Sequence, residues 1–453
     1  MDVVAELVRS LPDGVVVTDA ERTEKYRWDR SQDPHAGTPL AVVRAEDAEQ
    51  VRTTIAWAAR HGVPVVPRGA GTGLSGGASA VDGGIVLSLE RMTAIEVDPV
   101  CQVAVVEPGA LNKDVKAAAA SYGLWYPPDP SSYEICSIGG NVATNAGGLC
   151  CVKYGVTTDY VLGLDVVLAD GTLVTLGGTR IKDVAGLSLL KLFVGSEGTL
   201  GVVTRATMRL VPAQVVGATL VAAFPTMTAA AEAVVAIRRT LRPSMLELMD
   251  RASIRAVEAH RPMGLDTDAG ALLVAQSDAP GSACGAEIEA MGDACRAAGA
   301  GEVFVTEDAE EGEQFVQARR RVIPAVEVLG ELMLEDVGVP VPRLPELVDA
   351  VTRIAERHDL LIPVVAHAGD GNTHPLVVVP RGDEAARLRA LAAFEEIMHA
   401  AIALDGTITG EHGVGRTKKS ALPAQLGDDV MALTRRVKDA LDPGGILNPG
   451  AVL

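Results

Sequence analysis

Three stretches of glycine and small residues, far apart in one β-rich region, limit what this chain can fold into. The first, Pro67-Arg-Gly-Ala-Gly-Thr-Gly-Leu-Ser-Gly-Gly77, holds five glycines in eleven residues. The second is Ile138-Gly-Gly-Asn-Val-Ala-Thr-Asn-Ala-Gly-Gly148, and the third is Gly195-Ser-Glu-Gly-Thr-Leu-Gly201. Whatever lies against such stretches lies against backbone, and successive exposed N–H groups make a concavity suited to phosphate. The first is not a P-loop, because no Gly-Lys-Ser/Thr ends it. Nor is it a Rossmann fingerprint: after Gly69-Ala-Gly71 no amphipathic helix opens, and the chain runs on to the strand-like Ile85-Val-Leu-Ser-Leu89. One such loop is most often only a loop. Three in one β-rich region are much harder to dismiss, and the second, with only small residues between its glycine pairs, lets a flat ligand lie close to the backbone.

The flanking pattern is strand and helix in alternation. Residues 1–38 read as a short helix and an extended lead-in. Leu40–Val43 reads as a strand, Val51, Ile55, Ala58 and Ala59 form an apolar stripe at helical spacing, and Gly62 is a C-cap before Val63–Val66. Strands follow at 95–97, 102–106, 161–169, 173–176 and 202–210, with a helix near 111–122. Beyond Pro212 a second, α+β domain over roughly 213–410 is expected, with strands at 217–224 and 271–276 and helices at 227–240 and 285–298. A last helix is expected at 425–441.

In that second region, His367-Ala-Gly-Asp-Gly-Asn-Thr-His374 lies between the β-branched runs 361–365 and 376–379. Asp-Gly is a strong signal for a two-residue type I′ hairpin turn. A turn at Asp370-Gly371 would set Asn372 opposite Gly369, Thr373 opposite Ala368, and His374 opposite His367, bringing two imidazoles close enough to share an ion. Two histidines are too few to close a metal site.

Composition removes several classes. With 40 Lys and Arg against 59 Asp and Glu, the formal charge of −19 repels phosphate backbones, and no basic cluster with aromatics is present, so no nucleic-acid partner is expected. The six cysteines show no C-x-x-C spacing and read as buried free thiols of a reducing compartment. No signal peptide and no apolar segment of membrane-spanning length stands out, so a cytoplasmic protein is expected, with peripheral membrane contact left open.

Together the three clusters, His367–His374, Gly410-Glu-His-Gly-Val-Gly415 and Leu447-Asn-Pro-Gly450 resemble the FAD-linked dehydrogenases of the vanillyl-alcohol-oxidase (PCMH) type. The nearer resemblance is to the branch of the glycolate oxidase flavin subunit, D-lactate dehydrogenase and D-2-hydroxyglutarate dehydrogenase. It runs from about Pro39 to Pro449. The fold it implies is α+β: an FAD-binding PCMH-type domain over 1–212, a substrate or cap domain with an antiparallel sheet over 213–410, and a C-terminal helical segment, 411–453, returning to the flavin.

The resemblance also implies roles. Arg68, Gly69, Gly71, Thr72, Gly73, Leu74 and Ser75 would lie along the FAD pyrophosphate, and Gly139, Gly140, Asn141, Thr144, Asn145, Gly147 and Gly148 would flank flavin and ribityl. Glu197, Gly201 and Val202 would lie near the adenine half, and Asn448 near the isoalloxazine. No histidine stands between His61 and His260, so the FAD is expected to be non-covalent. His367, His374 and Glu411 would hold a divalent metal, zinc first, with iron or manganese as alternatives. His412 would be the base, Asn372 would sit beside the substrate, and Arg319 would fork its carboxylate, with Arg320 and Arg321 solvated. Leu334 stands where relatives acting on a dicarboxylate carry a lysine, which favours glycolate or D-lactate.

The implied activity is FAD-dependent oxidation of a D-2-hydroxy acid, passing electrons to a quinone, cytochrome or electron-transfer protein. The chain would act as a homodimer or with partner subunits. Three other readings stay open: the flavin subunit of a multi-subunit glycolate oxidase, active only within its complex; a D-2-hydroxyglutarate dehydrogenase; and, more distantly, a metal-dependent hydrolase, which leaves the glycine clusters without a role.

Overall fold

The computed structural model describes residues 3–214 and 217–453. The chain divides into two compact units. One comprises Met1–Gly147, Val156–Ala213 and Glu411–Leu453; the other comprises Gly148–Gly155 and Gln214–Gly410.

The first unit contains two sheets. In the four-stranded one, Val65–Arg68 and Ala41–Arg44 both run parallel to Ile85–Ser88, which lies between them, and Val16–Val17 adds an antiparallel edge. The helix Ala48–His61 makes the crossover. Asp47 caps it by accepting from the Gln50 amide at 2.8 Å, and Gly62 ends it in the left-handed region, as its place after the apolar stripe predicts. Val51, Ile55, Trp57 and Ala58 on this helix are fully buried against Val43, Val65 and Leu87. The five-stranded sheet is antiparallel throughout, in the order Ile95–Asp98, Val103–Val106, Val202–Arg209, Val161–Val167, Leu173–Gly177. Along Val202–Arg209 the alternation is direct: Val202, Thr204, Ala206 and Met208 are buried, whereas Arg205 and Arg209 are exposed. The end of the chain joins the first sheet, where the Asn448 amide donates to Val65 O and the Val65 amide to Ile446 O, both at 2.8 Å. The last helix, Leu422–Leu441, is broken at Gly427 (φ 76°), so it is shorter than its span suggests.

An eight-stranded antiparallel sheet forms the second unit, in the order Glu302–Thr306, Ala218–Phe224, Ala271–Ser277, Met245–Asp250, Val364–His367, Asn372–Val379, Glu331–Leu334. Val337–Gly338 also pairs with Asn372–Val379. Residues 148–155 belong here because Lys153 and Tyr154 both reach the buried Asp278 carboxylate, and Arg242 Nη2 donates to Lys153 O at 3.0 Å. No local signal in the sequence marks this short insertion.

The histidine hairpin differs in register from the expected one. His367 pairs with Asn372 and Val365 with His374, so the connection is the four residues 368–371, not Asp370-Gly371 alone. Only Gly371 takes positive φ (84°), whereas a type I′ turn needs it at both central residues. A Cβ at Gly371 would stand 2.1 Å from Val339 O, so this position admits glycine alone.

Gly371→Ala is therefore expected to destabilise the protein by about 2–4 kcal/mol, combining positive φ with a backbone clash. Chemical denaturation followed by far-UV circular dichroism checks it.

Candidate active site

A strand's side chains alternate with period two, so the register decides who meets whom. With His367 opposite Asn372, His374 is the diagonal neighbour of His367 on the same face. Diagonal spacing still suffices: the imidazole centroids lie 5.0 Å apart at 86°, edge to face, and a ring nitrogen of each lies within 4.8 Å of the other's. Both histidines are buried.

Each Nδ1 faces a carboxylate. Met245–Asp250 pairs with Val364–His367 through Leu248 opposite Ala366, so one step along the ladder Glu247 comes opposite His367. Its two oxygens lie 2.9 and 3.0 Å from His367 Nδ1. His374 Nδ1 lies 3.7 Å from Asp336 Oδ1 and 3.4 Å from Glu335 O. Glu247 and Asp336 are fully buried. Sequence reading missed both, although Met-Leu-Glu-Leu-Met-Asp carries a signal: one acid inside an otherwise apolar run, on the face of Met245 and Met249.

Arg319 ends up against the same carboxylate. It lies near the end of the helix Ala309–Arg320, 2% exposed, with Nε 2.9 Å from Glu247 Oε2. Arg320 and Arg321 are half-buried rather than solvated, because the chain continues directly into the helix Val322–Glu327 packed on the same core. Leu334 is half-buried opposite Leu376.

Asp336 also fixes the approach to the 411–412 segment. Its Oδ2 accepts from Thr409 Oγ1 at 2.6 Å and from the Gly410 amide at 3.0 Å. The Asn372 side chain packs where a Cβ at Gly410 would be, 2.3 Å from its Oδ1, so a larger residue at 410 would have to displace it. Glu411 and His412 are the next two residues and belong to the first unit, with 3.8 Å between Glu411 Oε1 and His412 Nε2.

Within the first unit the three glycine stretches converge. Ser137 Oγ accepts from the Ala70 amide (3.2 Å) and the Gly140 amide (3.4 Å), joining the first to the second. The Gly195 and Glu197 amides donate to Val142 O and Ala143 O, joining the third. The second stretch is partly a helix, Ile138–Thr144, closed by Asn145 in the left-handed region. Asn448 Nδ2 donates to Gly77 O and Glu197 O, both at 2.8 Å. Arg68 turns its guanidinium beneath the loop to Ala78 O, Asn141 meets Asn112 and Cys136, and Asn145 Oδ1 accepts from the Thr158 amide. These side chains hold the bed together. The amides of 71–77, by contrast, meet no acceptor among the described residues. Gly147 ends the first unit's portion of the stretch, and Gly148 falls in the second unit.

Glu197 is the strained member: 7% exposed, with φ 51°. Its two oxygens accept from the Val414 and Gly415 amides at 2.7 and 2.8 Å, and Ser75 Oγ donates to His412 O at 3.1 Å. The loop carrying His412 is thus suspended from the first and third glycine stretches. Burial pushes the Glu197 pKa up to about 7, against the pull of the two amides.

The fold matches solved structures along nearly its whole length: p-cresol methylhydroxylase with substrate bound (TM-score 0.83, 18% identity, 99% of this chain and 96% of that one) and the isoeugenol complex of 4-ethylphenol oxidase from Gulosibacter chungangensis (TM-score 0.81, 18% identity, 100% and 96%). That defines a two-domain FAD-binding fold of PCMH type, as the resemblance implies. In sequence, residues 39–177 match the FAD binding domain and 214–452 the C-terminal domain of the FAD linked oxidases. The chain is 40% identical over 428 residues to the glycolate oxidase subunit GlcD of Bacillus subtilis, covering 94% of this chain and 91% of that protein. It is 36% identical over 440 residues to a D-lactate dehydrogenase of Archaeoglobus fulgidus, covering 95% and 96%. The chain belongs to the FAD-linked oxidase family and is an FAD-linked oxidoreductase.

Between the unfolded carboxyl pKa and about 7, folded Glu197 holds a proton that the unfolded chain releases, so rising pH removes stability, on the order of 3 kcal/mol across the window. Glu197→Gln is expected to flatten that part of the profile, as read from unfolding midpoints at about pH 5 and about pH 8.

Proposed function

We propose that this chain oxidises a small D-2-hydroxy acid, glycolate or D-lactate first, to the 2-oxo acid. The observation that carries the reading is the buried His367–His374 pair, each Nδ1 against a carboxylate, in a chain of the FAD-linked oxidase family. A ring whose Nδ1 is held this way presents Nε2, the usual outer-shell arrangement around a metal-bound histidine. With Glu411 as third donor, the set would hold a divalent ion, zinc first, leaving positions open for substrate.

The amides of 71–77 fit the FAD pyrophosphate, with Gly69, Gly71, Thr72, Gly73, Leu74 and Ser75 lining it and the FAD held non-covalently. Gly139, Gly140, Thr144, Gly147 and Gly148 would let the flavin and ribityl approach the backbone, and Gly201 and Val202 would do so near the adenine half. Arg68, Asn141, Asn145, Glu197 and Asn448 would keep that bed in shape.

When bound, FAD supplies the hydride acceptor and the ion lowers the pKa of the substrate hydroxyl. The remaining work is the protein's. Loss of the α-hydrogen as hydride leaves the hydroxyl proton, which His412 would take on a ring nitrogen. Arg319 would face the substrate carboxylate with its outer nitrogens while Nε stays on Glu247, and Asn372 would border the substrate beside Gly410. Leu334, in place of a cation, favours an acid without a second carboxylate. The relatives named as glycolate oxidase subunits motivate a second reading, a flavin subunit working with partner subunits. A quinone, cytochrome or electron-transfer protein would receive the electrons, and no helix among the described residues is long and apolar enough to cross a membrane.

A dye-linked screen of D- and L-2-hydroxy acids tests the reading. Glycolate or D-lactate should reduce the dye, a chelator should abolish the reaction, and added zinc should restore it; indifference to every 2-hydroxy acid would sink the proposal. Robust turnover by the isolated chain would set aside an obligate partner. His412→Ala should lose flavin reduction by at least about a hundredfold while retaining the flavin spectrum, read in single-turnover stopped flow.

A further inference from the structure

Glu247 is a fully buried carboxylate with two basic neighbours, His367 and Arg319. We infer that Glu247 is a positioning residue that sets His367 as a metal ligand and ties it to Arg319, so that one side chain aligns the ion's ligand and the substrate's carboxylate fork. The inference rests on the proposed ion site.

The geometry is specific. Both Glu247 oxygens face the same imidazole nitrogen, at 2.9 and 3.0 Å, and Oε2 also receives Arg319 Nε at 2.9 Å. A carboxylate offers only lone pairs, so the His367 nitrogen facing it, Nδ1, carries a proton, and in the neutral ring Nε2 then has the lone pair that a metal can take. Glu247 sits on Met245–Asp250, paired on both sides, with Val274 opposite it across one ladder and His367 one step beyond the Leu248–Ala366 pair across the other. That strand has no freedom to swing. Arg319, 2% exposed, pairs through Nε with the same carboxylate, so Glu247 keeps the guanidinium close to His367.

A purely structural ion pair would need only one contact between Arg319 and Glu247. It would not need the second oxygen on His367, nor would its loss change metal binding. The two roles therefore separate by experiment. FAD-loaded protein is stripped with a chelator and titrated with zinc against a chromogenic competitor. Glu247→Gln keeps the volume but can turn an N–H toward Nδ1, favouring the wrong tautomer. It is expected to weaken zinc binding by about 10–100-fold, and to raise KM for the hydroxy acid, with the flavin spectrum unchanged. Unchanged zinc affinity in folded Glu247→Gln overturns the role.

If that variant does not fold, the wild-type protein still decides. In the 15N-imidazole spectrum of the zinc-free, FAD-loaded protein, the resonance that disappears in His367→Gln should show Nδ1 protonated, and Nε2 protonation would overturn the inference. Wild-type protein that oxidises a hydroxy acid yet binds no zinc would overturn the ion site and this role with it. Zinc binding that ignores position 247 would overturn this role alone.

Discussion

Burying a carboxylate in the middle of a sheet is unfavourable unless its lone pairs are used, and the second unit is organised around meeting that demand at Glu247. An unpaired charge there would cost several kcal/mol. The solution draws in a histidine from the neighbouring strand and an arginine from the covering helix, fixing all three with contacts of 2.9–3.0 Å. Hairpin register then matters beyond stability. A slip of one residue would turn His374 to the opposite face and leave Asp336 without an imidazole beside it. The polar end of the sheet face and its apolar remainder, Met249, Val365 and Leu376, are therefore two products of the same alternation.

In the first unit the corresponding constraint is the lack of side chains. Glycine stretches have no apolar surface with which to pack, so hydrogen bonds must shape them. Ser137, Asn448, Arg416 and Glu197 provide these, each joining segments far apart in sequence. Arg416 alone reaches Gly76 O, Ser79 O and Pro449 O. The result is a bed of backbone whose form is set by buried polar contacts, which makes a protonatable group such as Glu197 a sensitive part of it.

Much of this was legible before any coordinates. Glycine stretches, the Gly62 cap and the alternation in Val202–Arg209 each follow from local rules. The two histidines were rightly paired but wrongly registered, because an Asp-Gly turn signal says nothing about the close approach of Val339 O to Gly371. Glu247 was missed because the strand carrying it was missed, its pattern obscured by two methionines and a central acid. The helix Leu344–His358 is absent from the sequence reading although Leu347, Val348, Val351 and Ile354 stand at helical spacing. The 148–155 insertion had no local signal at all; it depends on Asp278, more than a hundred residues away. Cysteines divided likewise: Cys136, Cys284 and Cys295 are buried, Cys150 and Cys151 half-buried, and Cys101 exposed, so the expectation of buried thiols held for three.

The first unit is interrupted by almost two hundred residues of the second, and this has a bearing on how the chain is made. Ser75 finds its partner 337 positions later, and Gly77 waits 371 positions for Asn448. At ordinary rates of synthesis, that separation corresponds to roughly 20–70 s during which the first glycine loop exists without the segments that shape it. The second unit, nearly continuous from 214 to 410, can be completed while the first still lacks its C-terminal part. Maturation therefore need not follow the numbering: the middle of the chain can fold before the first unit is complete, and the glycine bed closes only once Asn448 has been added.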